Sequence, residues 1–159
     1  MQITIRNAEK EDMPKVLELI EELAVFEKEP HAVEVSVGDL EAAGFGAKPM
    51  FRCFVAEVDT KIVGMALVYF RFSTWKGRVL HLEDLIVTNA MRGKGIGERL
   101  YAAVLEYGHS LGCKRVQWEV LGWNEGAIKF YERSGASVLR DWHVVHMDEQ
   151  GLTHFLKTQ

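Results

Sequence analysis

The stretch from residue 82 to residue 97, LEDLIVTNAMRGKGIG, constrains the fold more than any other part of this chain. It contains a short apolar strand at residues 85–87, passes through the turn-forming pair Thr88-Asn89 and a glycine-rich turn, and leads into a strongly helical segment. Gly93, Gly95 and Gly97 remove the side chains that would keep a phosphate group away from the backbone. The unpaired N–H groups and the positive dipole end of the following helix point at the same place. The stretch therefore predicts a strand, a pyrophosphate-binding turn and a helix in direct succession.

The spacing of these glycines indicates the kind of phosphate site, to which Arg92 and Lys94 add positive charge. A P-loop requires a Lys-Ser or Lys-Thr pair that closes a Gly-x-x-x-x-Gly frame, and this stretch lacks that pair. A dinucleotide fingerprint reads Gly-x-Gly-x-x-Gly near the start of a domain, whereas here the order is Gly-x-Gly-x-Gly beyond the middle of the chain. The pattern that fits is Arg-x-x-Gly-x-Gly over residues 92–97. Because glycine-rich turns also occur for packing reasons, this interpretation depends on two later motifs, WNE at 123–125 and KFYERSGA at 129–136.

With these motifs the chain resembles the GNAT acetyltransferases, which use acetyl-coenzyme A, and most closely their spermidine/spermine (diamine) acetyltransferase group. The matching segments follow the family's order: ELAVFE (22–27), GFG (44–46), WKG (75–77), LED (82–84), RGKGIG (92–97), WNE (123–125) and FY (130–131). So many separated matches argue against a chance resemblance. The resemblance implies an α/β (α+β) GNAT fold, in which helices flank a mixed, mostly antiparallel central sheet.

Hydrophobic periodicity and turn signals predict elements in the same order. Predicted strands cover residues 3–5, 51–58, 62–72, 79–87, 116–121 and 142–147. Predicted helices cover residues 13–24, a short segment from a capping box at 36–39 to near residue 44, 96–111 and 125–133. Antiparallel strands in the middle, followed by strand-helix-strand-helix, indicate mixed α/β architecture. No linker or repeat interrupts the chain, so we expect one domain over residues 1–159.

Composition narrows the function classes. A net charge of −4 and a pI near 5.9 argue against a nucleic-acid scaffold, which would usually be basic. The longest apolar run, residues 62–70, is far shorter than the ~20 residues needed to span a bilayer. The first residues lack the apolar core of a signal peptide. Cys53 and Cys113 are more typical of buried thiols than of a disulfide framework. We therefore expect a soluble cytoplasmic protein that binds neither nucleic acid nor membrane.

Acetylation of an amine sets three chemical requirements. A lysine-like amine has a pKa of about 10.4, so only about one molecule in 2,500 is uncharged and nucleophilic at pH 7. The site must attract a cation, take its proton and stabilise the leaving thiolate. Glu83 and Asp84 precede the strand that leads into the glycine turn, and because successive strand residues point to opposite faces, we expect only one to face the cleft. The resemblance implies that Glu83 is the base, acting through water; the alternative is a strand-edge carboxylate paired with a surface Lys or Arg.

Tyr131 is the candidate acid. Its phenol, with a pKa of about 10, can protonate a departing thiolate of pKa about 8.5. It could also simply hydrogen-bond the coenzyme sulfur, or be an ordinary core tyrosine beside Phe130. Asn124 opens the predicted helix 125–133 and is a plausible N-cap, and the resemblance implies that it also contacts the coenzyme.

The resemblance implies two sets of binding residues. The set for acetyl-coenzyme A comprises Leu85, Ile86, Val87, Arg92, Gly93, Lys94, Gly95, Ile96, Gly97, Glu98, Asn124, Glu125, Gly126, Ala127 and Tyr131. The set for the amine substrate comprises Phe26, Glu27, Trp75, Glu83, Gln117, Trp118 and Glu119. Taken singly, Glu27 is also typical of solvent-exposed charge at a helix end, Trp75 of turn packing and Trp118 of a core. His81 shares a strand face with Glu83 and either tunes that carboxylate or is structural. His143 and His146 fall on opposite faces of the predicted late strand, and no metal is expected.

Departures from the pattern point to the substrate. Polyamine-selective members carry an acid two positions before the Trp-x-Gly turn, where this chain has Ser73. The string STWKGR (73–78) resembles the sister branch, the thialysine acetyltransferases, so we expect a small primary amine such as a lysine analogue rather than spermine, acetylated by direct attack in a ternary complex. The alternatives are a non-catalytic acyl-coenzyme A sensor, a nucleotide-binding module, or an enzyme that acetylates protein lysines or N-termini. The resemblance also implies a homodimer with substrate clefts at the subunit interface.

Overall fold

Alternating apolar residues build one five-stranded sheet in the computed structural model, which describes residues 1–159. The strands are β1 (Ile3–Asn7), β2 (Arg52–Val58), β3 (Lys61–Ser73), β4 (Gly77–Val87) and β5 (Val116–Gln117). Their order in the sheet is β1-β2-β3-β4-β5; the first four are antiparallel and β5 is parallel to β4. The mixed, mostly antiparallel sheet predicted from the sequence is therefore confirmed.

Five helices accompany the strands: α1 (Met13–Phe26), α2 (Val37–Phe45), α3 (Ile96–Ser110), α4 (Glu125–Arg133) and α5 (Glu149–Lys157). The capping box predicted before α2 is formed, since the Ser36 hydroxyl accepts from the Asp39 N–H at 3.2 Å and Asp39 accepts from the Ser36 N–H at 2.8 Å. Gly112, at φ +71°, follows α3 in the left-handed conformation expected of a helix stop. None of the helices combines the length and apolar character needed to cross a bilayer.

The chain divides into two units, Met1–Glu119 and Val120–Gln159. The single domain that the sequence predicted over residues 1–159 stays a prediction. In the first unit the sheet carries a core on each face. The α1 face packs against α1 and α2 through side chains such as Met13, Leu19 and Met65, and the α3 face packs against α3 through Leu80 and Leu100.

A β-bulge in β4 corrects one expectation about the site. Leu67 of β3 lies opposite Asp84, and its neighbour Val68 lies opposite Leu82, so Glu83 has no opposite residue. Opposite residues share a face, and Leu67 packs in the α1-face core, whereas Val68 and Leu82 pack in the α3-face core. Asp84 therefore lies on the α1 face. The prediction that Glu83 and Asp84 point to opposite faces is therefore wrong. The extra residue of the bulge breaks the period of two on which that prediction depends.

The last third of the chain departs furthest from expectation. The predicted strand at 142–147 is wrong: these residues form no regular structure, and no other segment pairs with them. Trp142 and Val145 are 69% and 88% exposed, so the apolar side chains of the predicted strand are not buried within this chain. The strand expected at 116–121 is limited to Val116–Gln117, and α5 was not predicted.

Candidate active site

Glu83 is the centre of a polar network on the α1 face of the sheet. Its Oε2 accepts a hydrogen bond of 2.9 Å from the Tyr69 hydroxyl and lies 3.3 Å from Nε2 of His81. The other ring nitrogen of His81, Nδ1, lies 3.4 Å from Nη1 of Arg71. Tyr69 and His81 are opposite residues of β3 and β4, and their ring centroids are 5.0 Å apart. The pairing of two strands therefore fixes the orientation of this carboxylate.

The network keeps Glu83 ionised. Hydrogen bonding to His81 is the main cause that lowers the pKa of Glu83 below its usual range, and the Tyr69 bond adds to it. Burial and the Glu83 carboxylate raise the pKa of Tyr69 to about 12, so this phenol remains a hydrogen-bond donor. The Glu83 side chain is still 49% exposed. It is an accessible, permanent negative charge and a weak proton acceptor near neutral pH.

Asp84 has the opposite electrostatic surroundings. Burial, followed by the charges of Glu83 and Glu27, raises its pKa to about 6. Glu27 follows the last residue of α1, and partial desolvation raises its pKa too, although the side chain is exposed. Glu27, Glu83 and Asp84 form what we term the acidic cluster. Its combined negative charge is suited to a cationic ligand.

The glycine turn after β4 has the backbone shape that the sequence predicted. Gly93 and Gly95 lie at φ +74° and +76°, where side chains with a Cβ are strained, and no atom lies within 4 Å of the position a Cβ would take. Gly95 precedes α3, and no side chain caps the helix start. The backbone of this turn is thus open to solvent beside the positive end of a 15-residue helix. Lys94 lies next to it, with Nζ 3.5 Å from Sδ of Met91.

Contacts with the first helix hold this turn in place. The Asn89 N–H donates to Oε1 of Glu22 at 2.8 Å, and Nε of Arg92 donates to the Val87 carbonyl at 2.9 Å. The Arg92 guanidinium also lies 4.9 Å from the centroid of the Phe26 ring. Phe26 and Arg92, predicted for substrate and coenzyme respectively, therefore contact each other. Sequence reasoning assigned no role to Glu22, although it belongs to the ELAVFE segment that carried the resemblance.

The end of β4 leaves one edge open. β5 pairs with it only at Leu80–Val116 and His81–Gln117, so the edge of residues 83–87 that faces away from β3 has no strand partner. Ile86 and Val87 are buried in the two cores, so the coenzyme contact that the resemblance implies for them would have to involve their backbone groups. An open strand edge that leads into an uncapped helix start fits coenzyme A, because backbone groups can bind its amide arm and its phosphates.

In Val120–Gln159, α4 carries the remaining predicted coenzyme residues. The Asn124 side chain accepts from the Ala127 N–H at 3.3 Å, which confirms the predicted N-cap. Tyr131 is half-buried, with its ring centroid 5.4 Å from that of Phe130. Its carbonyl accepts from the Ser134 hydroxyl at 2.6 Å, which fixes the backbone at the helix end. The first-turn residues Glu125 and Gly126 are exposed.

The other predicted substrate residues are dispersed. Trp75 is 81% exposed in the turn between β3 and β4, where the Ser73 hydroxyl accepts from the N–H groups of Trp75 and Lys76, each at 3.2 Å. Glu119 acts electrostatically on Tyr69 and so lies near the Glu83 network. Trp118 instead packs edge-on against Tyr101 in the α3-face core. The structure thus does not place Trp118 with the acidic cluster.

Comparisons with known proteins agree with this geometry. The profile of the acetyltransferase (GNAT) family matches residues 11–136. Thialysine N-epsilon-acetyltransferase of Bos taurus is 37% identical over 161 residues, which cover 94% of this chain and 95% of that protein. Spermidine/spermine N(1)-acetyltransferase-like protein 1 of Homo sapiens is 36% identical, over 93% of this chain but 23% of that longer protein. Among solved structures, an integron cassette protein from V. cholerae has a TM-score of 0.80 at 25% identity and 99% coverage of both chains.

Proposed function

This chain belongs to the GNAT family of acetyl-coenzyme A-dependent N-acetyltransferases, and we propose that its acceptor is the primary amine of a small lysine analogue such as thialysine. The observation that carries the proposal is the acidic cluster on the α1 face, beside a strand edge and a turn that fit coenzyme A. The match to thialysine N-epsilon-acetyltransferase along nearly the whole of both chains supports the choice of substrate.

The acidic cluster attracts and orients the acceptor. An alkylammonium ion is drawn to Glu27, Glu83 and Asp84, and an accessible carboxylate fixed by two hydrogen-bond partners holds it without large rearrangement. The family resemblance implies that Glu83 is the base. Its lowered pKa favours attraction of the cation over uptake of a proton.

The glycine turn and α4 are assigned the remaining tasks, which are coenzyme binding and protonation of the leaving sulfur. Acetyl-coenzyme A supplies the acetyl thioester when bound. The N–H groups around Gly93 and Gly95 hold phosphate, and Asn124 keeps the start of α4 in place. We assign Tyr131 to donate its phenolic proton to the departing sulfur, within a ternary complex in which the amine attacks directly.

The turn between β3 and β4 supports a compact acceptor. Ser73 uses its hydroxyl to close that turn and offers no charge to the distal amine of a polyamine. A long polycation needs several acids along its length, whereas the acidic cluster is concentrated around β4 and the end of α1. A lysine analogue, with one primary side-chain amine, requires a single such cluster.

We also propose a homodimer. Eight large apolar side chains of Val120–Gln159 are more than half exposed: Leu139, Trp142, Val144, Val145, Met147, Leu152, Phe155 and Leu156. Monomeric proteins rarely leave so many apolar side chains of one segment in water. A second copy of the chain is the occupant that the family resemblance supports. Free thiols at Cys53 and Cys113 suit a reducing compartment, which supports a cytoplasmic location.

The test is release of free thiol from acetyl-coenzyme A with a panel of amines: thialysine, lysine, small diamines, spermidine and spermine. We expect the highest kcat/KM with thialysine, and a kcat lowered at least tenfold in Tyr131→Phe with little change in coenzyme affinity. Phe130→Leu, which alters the neighbouring ring and no ionisable group, is the matched control. Tight coenzyme binding without turnover of any amine would instead support the sensor.

A further inference from the structure

We propose that Asp84 accepts the proton of the substrate ammonium, while Glu83 remains an ionised anchor for the cation. This assignment rests on the proposed function, because it concerns the amine that the enzyme acetylates. It divides between two neighbouring carboxylates the roles of base and substrate contact that the family resemblance implies for Glu83 alone.

The bulge in β4 makes the division possible. In a regular strand, Asp84 would follow Glu83 onto the opposite face of the sheet. Because Glu83 is the unpaired residue of the bulge, Asp84 instead lies opposite Leu67 on the α1 face, where Glu83 contacts Tyr69 and His81. Bulges are frequent beside active sites, where they redirect a side chain. One extra residue thus places two consecutive carboxylates on the same face of the sheet.

The groups around each carboxylate give the two acids different properties. Glu83 faces the Tyr69 hydroxyl and His81, with Arg71 beyond the histidine, and all three favour its charged form. Asp84 faces Glu83 on its own strand and Glu27 after α1. Its negative charge contributes to the raised pKa of the Cys53 thiol on β2. No hydrogen-bond donor or cation of the protein stabilises the Asp84 carboxylate. Asp84 therefore binds a proton more readily than Glu83, and a pKa near the working pH is the property of an effective base.

The proton transfer is balanced without another reactant. One N–H bond of the ammonium breaks, its electron pair stays on nitrogen, and the proton forms an O–H bond with the Asp84 carboxylate. The uncharged amine then forms a C–N bond with the acetyl carbon, the C–S bond breaks, and the thiolate takes the Tyr131 proton, which the second N–H proton of the amine replaces. Asp84 returns the first proton to solvent after product release. The negative charges of Glu83 and Glu27 raise the proton affinity of Asp84, which helps it to accept this proton.

The test is the pH dependence of kcat/KM with thialysine for the wild type, Asp84→Asn, Glu27→Gln and the control Glu18→Gln on the exposed side of α1. We expect the wild type to lose activity as the pH falls through about 6. Asp84→Asn should lower kcat by about 100-fold or more and abolish this acid limb. Glu27→Gln removes a neighbouring negative charge and should move the limb to lower pH, whereas Glu18→Gln should leave it unchanged.

An active Asp84→Asn enzyme that retains the limb, or that changes KM alone, would overturn the assignment and leave the acetyltransferase function standing. Circular dichroism establishes whether Asp84→Asn folds. If it does not, the Glu27→Gln profile decides: a limb moved to lower pH supports Asp84, and an unmoved limb overturns it. Absence of turnover by the wild type with every amine would overturn the proposed function, and the assignment with it.

Discussion

The backbone N–H of Asn89 donates a 2.8 Å hydrogen bond to Oε1 of Glu22, sixty-seven residues earlier in the chain. This bond connects the first helix to the turn that precedes the glycines. Glu22→Ala removes the acceptor and should loosen the turn, so we expect KM for acetyl-coenzyme A to rise about three- to tenfold, as loss of a hydrogen bond of about 1 kcal/mol implies. Steady-state kinetics with saturating amine measure it. Glu21→Ala, on the same helix turn, is the control, and an equal effect of both variants would contradict this role of Glu22.

Gly95→Ala tests whether the glycine turn depends on backbone conformation rather than on space. The added Cβ would meet no atom within 4 Å, but the residue lies at φ +76°, which costs an L-residue about 1–2 kcal/mol. We expect the free energy of unfolding to fall by about that amount and KM for acetyl-coenzyme A to rise. Urea denaturation and kinetics provide the two readouts.

Gly38→Ala supplies the matched control, because Gly38 is in α2 and a Cβ there makes only an ordinary contact at 3.7 Å. It should stabilise the protein by up to about 1 kcal/mol. A loss of stability in Gly38→Ala similar to that in Gly95→Ala would show that the left-handed conformation is not the cause.

Asp84→Asn should stabilise the protein while it impairs catalysis. The pKa of Asp84 is raised to about 6 in the folded protein, above the value of an unfolded aspartate. Between about pH 4 and 6 the unfolded chain releases this proton while the native protein keeps it, so native stability falls as the pH rises through this window. Above it, the variant should gain up to about 2–3 kcal/mol.

Thermal unfolding at pH 8 and pH 4.5 measures this difference, and the gain should shrink toward the lower pH. Glu18→Gln, at an exposed ion pair of α1, should show little change at either pH. A lower melting temperature for Asp84→Asn at pH 8 would mean that the carboxylate stabilises the native state, contrary to the electrostatics described above.

Val145→Asp tests the proposed homodimer. Val145 is 88% exposed in the single chain, and burial of an aspartate against a second copy would be costly. Size-exclusion chromatography with light scattering should show a dimer for the wild type and a monomer for the variant. Met50→Asp, at a similarly exposed apolar side chain of Met1–Glu119, should remain a dimer. A monomeric wild type at micromolar concentration would contradict the dimer.

Local signals in the sequence predicted the elements that depend on them. The helix predicted over residues 125–133 is confirmed with its Asn124 cap, and Ser36 and Asp39 form the expected capping box. The glycine-rich turn before α3 was predicted from its glycine spacing, and Gly93 and Gly95 lie in it at positive φ. In each case the cause lies within a few residues of the chain.

Features that depend on distant partners were not predicted. No side-chain pattern in LED marks the bulge at Glu83, because a bulge is defined by the register with β3. The apolar residues at 142–147 suggested a strand, but a strand requires a partner, and no segment of this chain pairs with residues 142–147. The short α5 is an exception, because it was not predicted although its signals are local: Leu152, Phe155 and Leu156 have helical spacing, and Asp148 caps the helix. The raised pKa of Asp84 was likewise not predicted, because its main cause is burial, and the charge of Glu27, which acts after that of the adjacent Glu83, comes from a distant element.

The most direct test of the proposed function is a competition experiment between two amines. Wild-type protein is given limiting acetyl-coenzyme A with equal concentrations of thialysine and spermidine, and mass spectrometry measures the acetylated products. Acetylthialysine should predominate, because the acidic cluster serves one compact ammonium group and Ser73 offers no second charge. Predominance of acetylspermidine would contradict the substrate assignment. Intact acetyl-coenzyme A with neither amine acetylated would contradict the central claim that this chain acetylates a small amine.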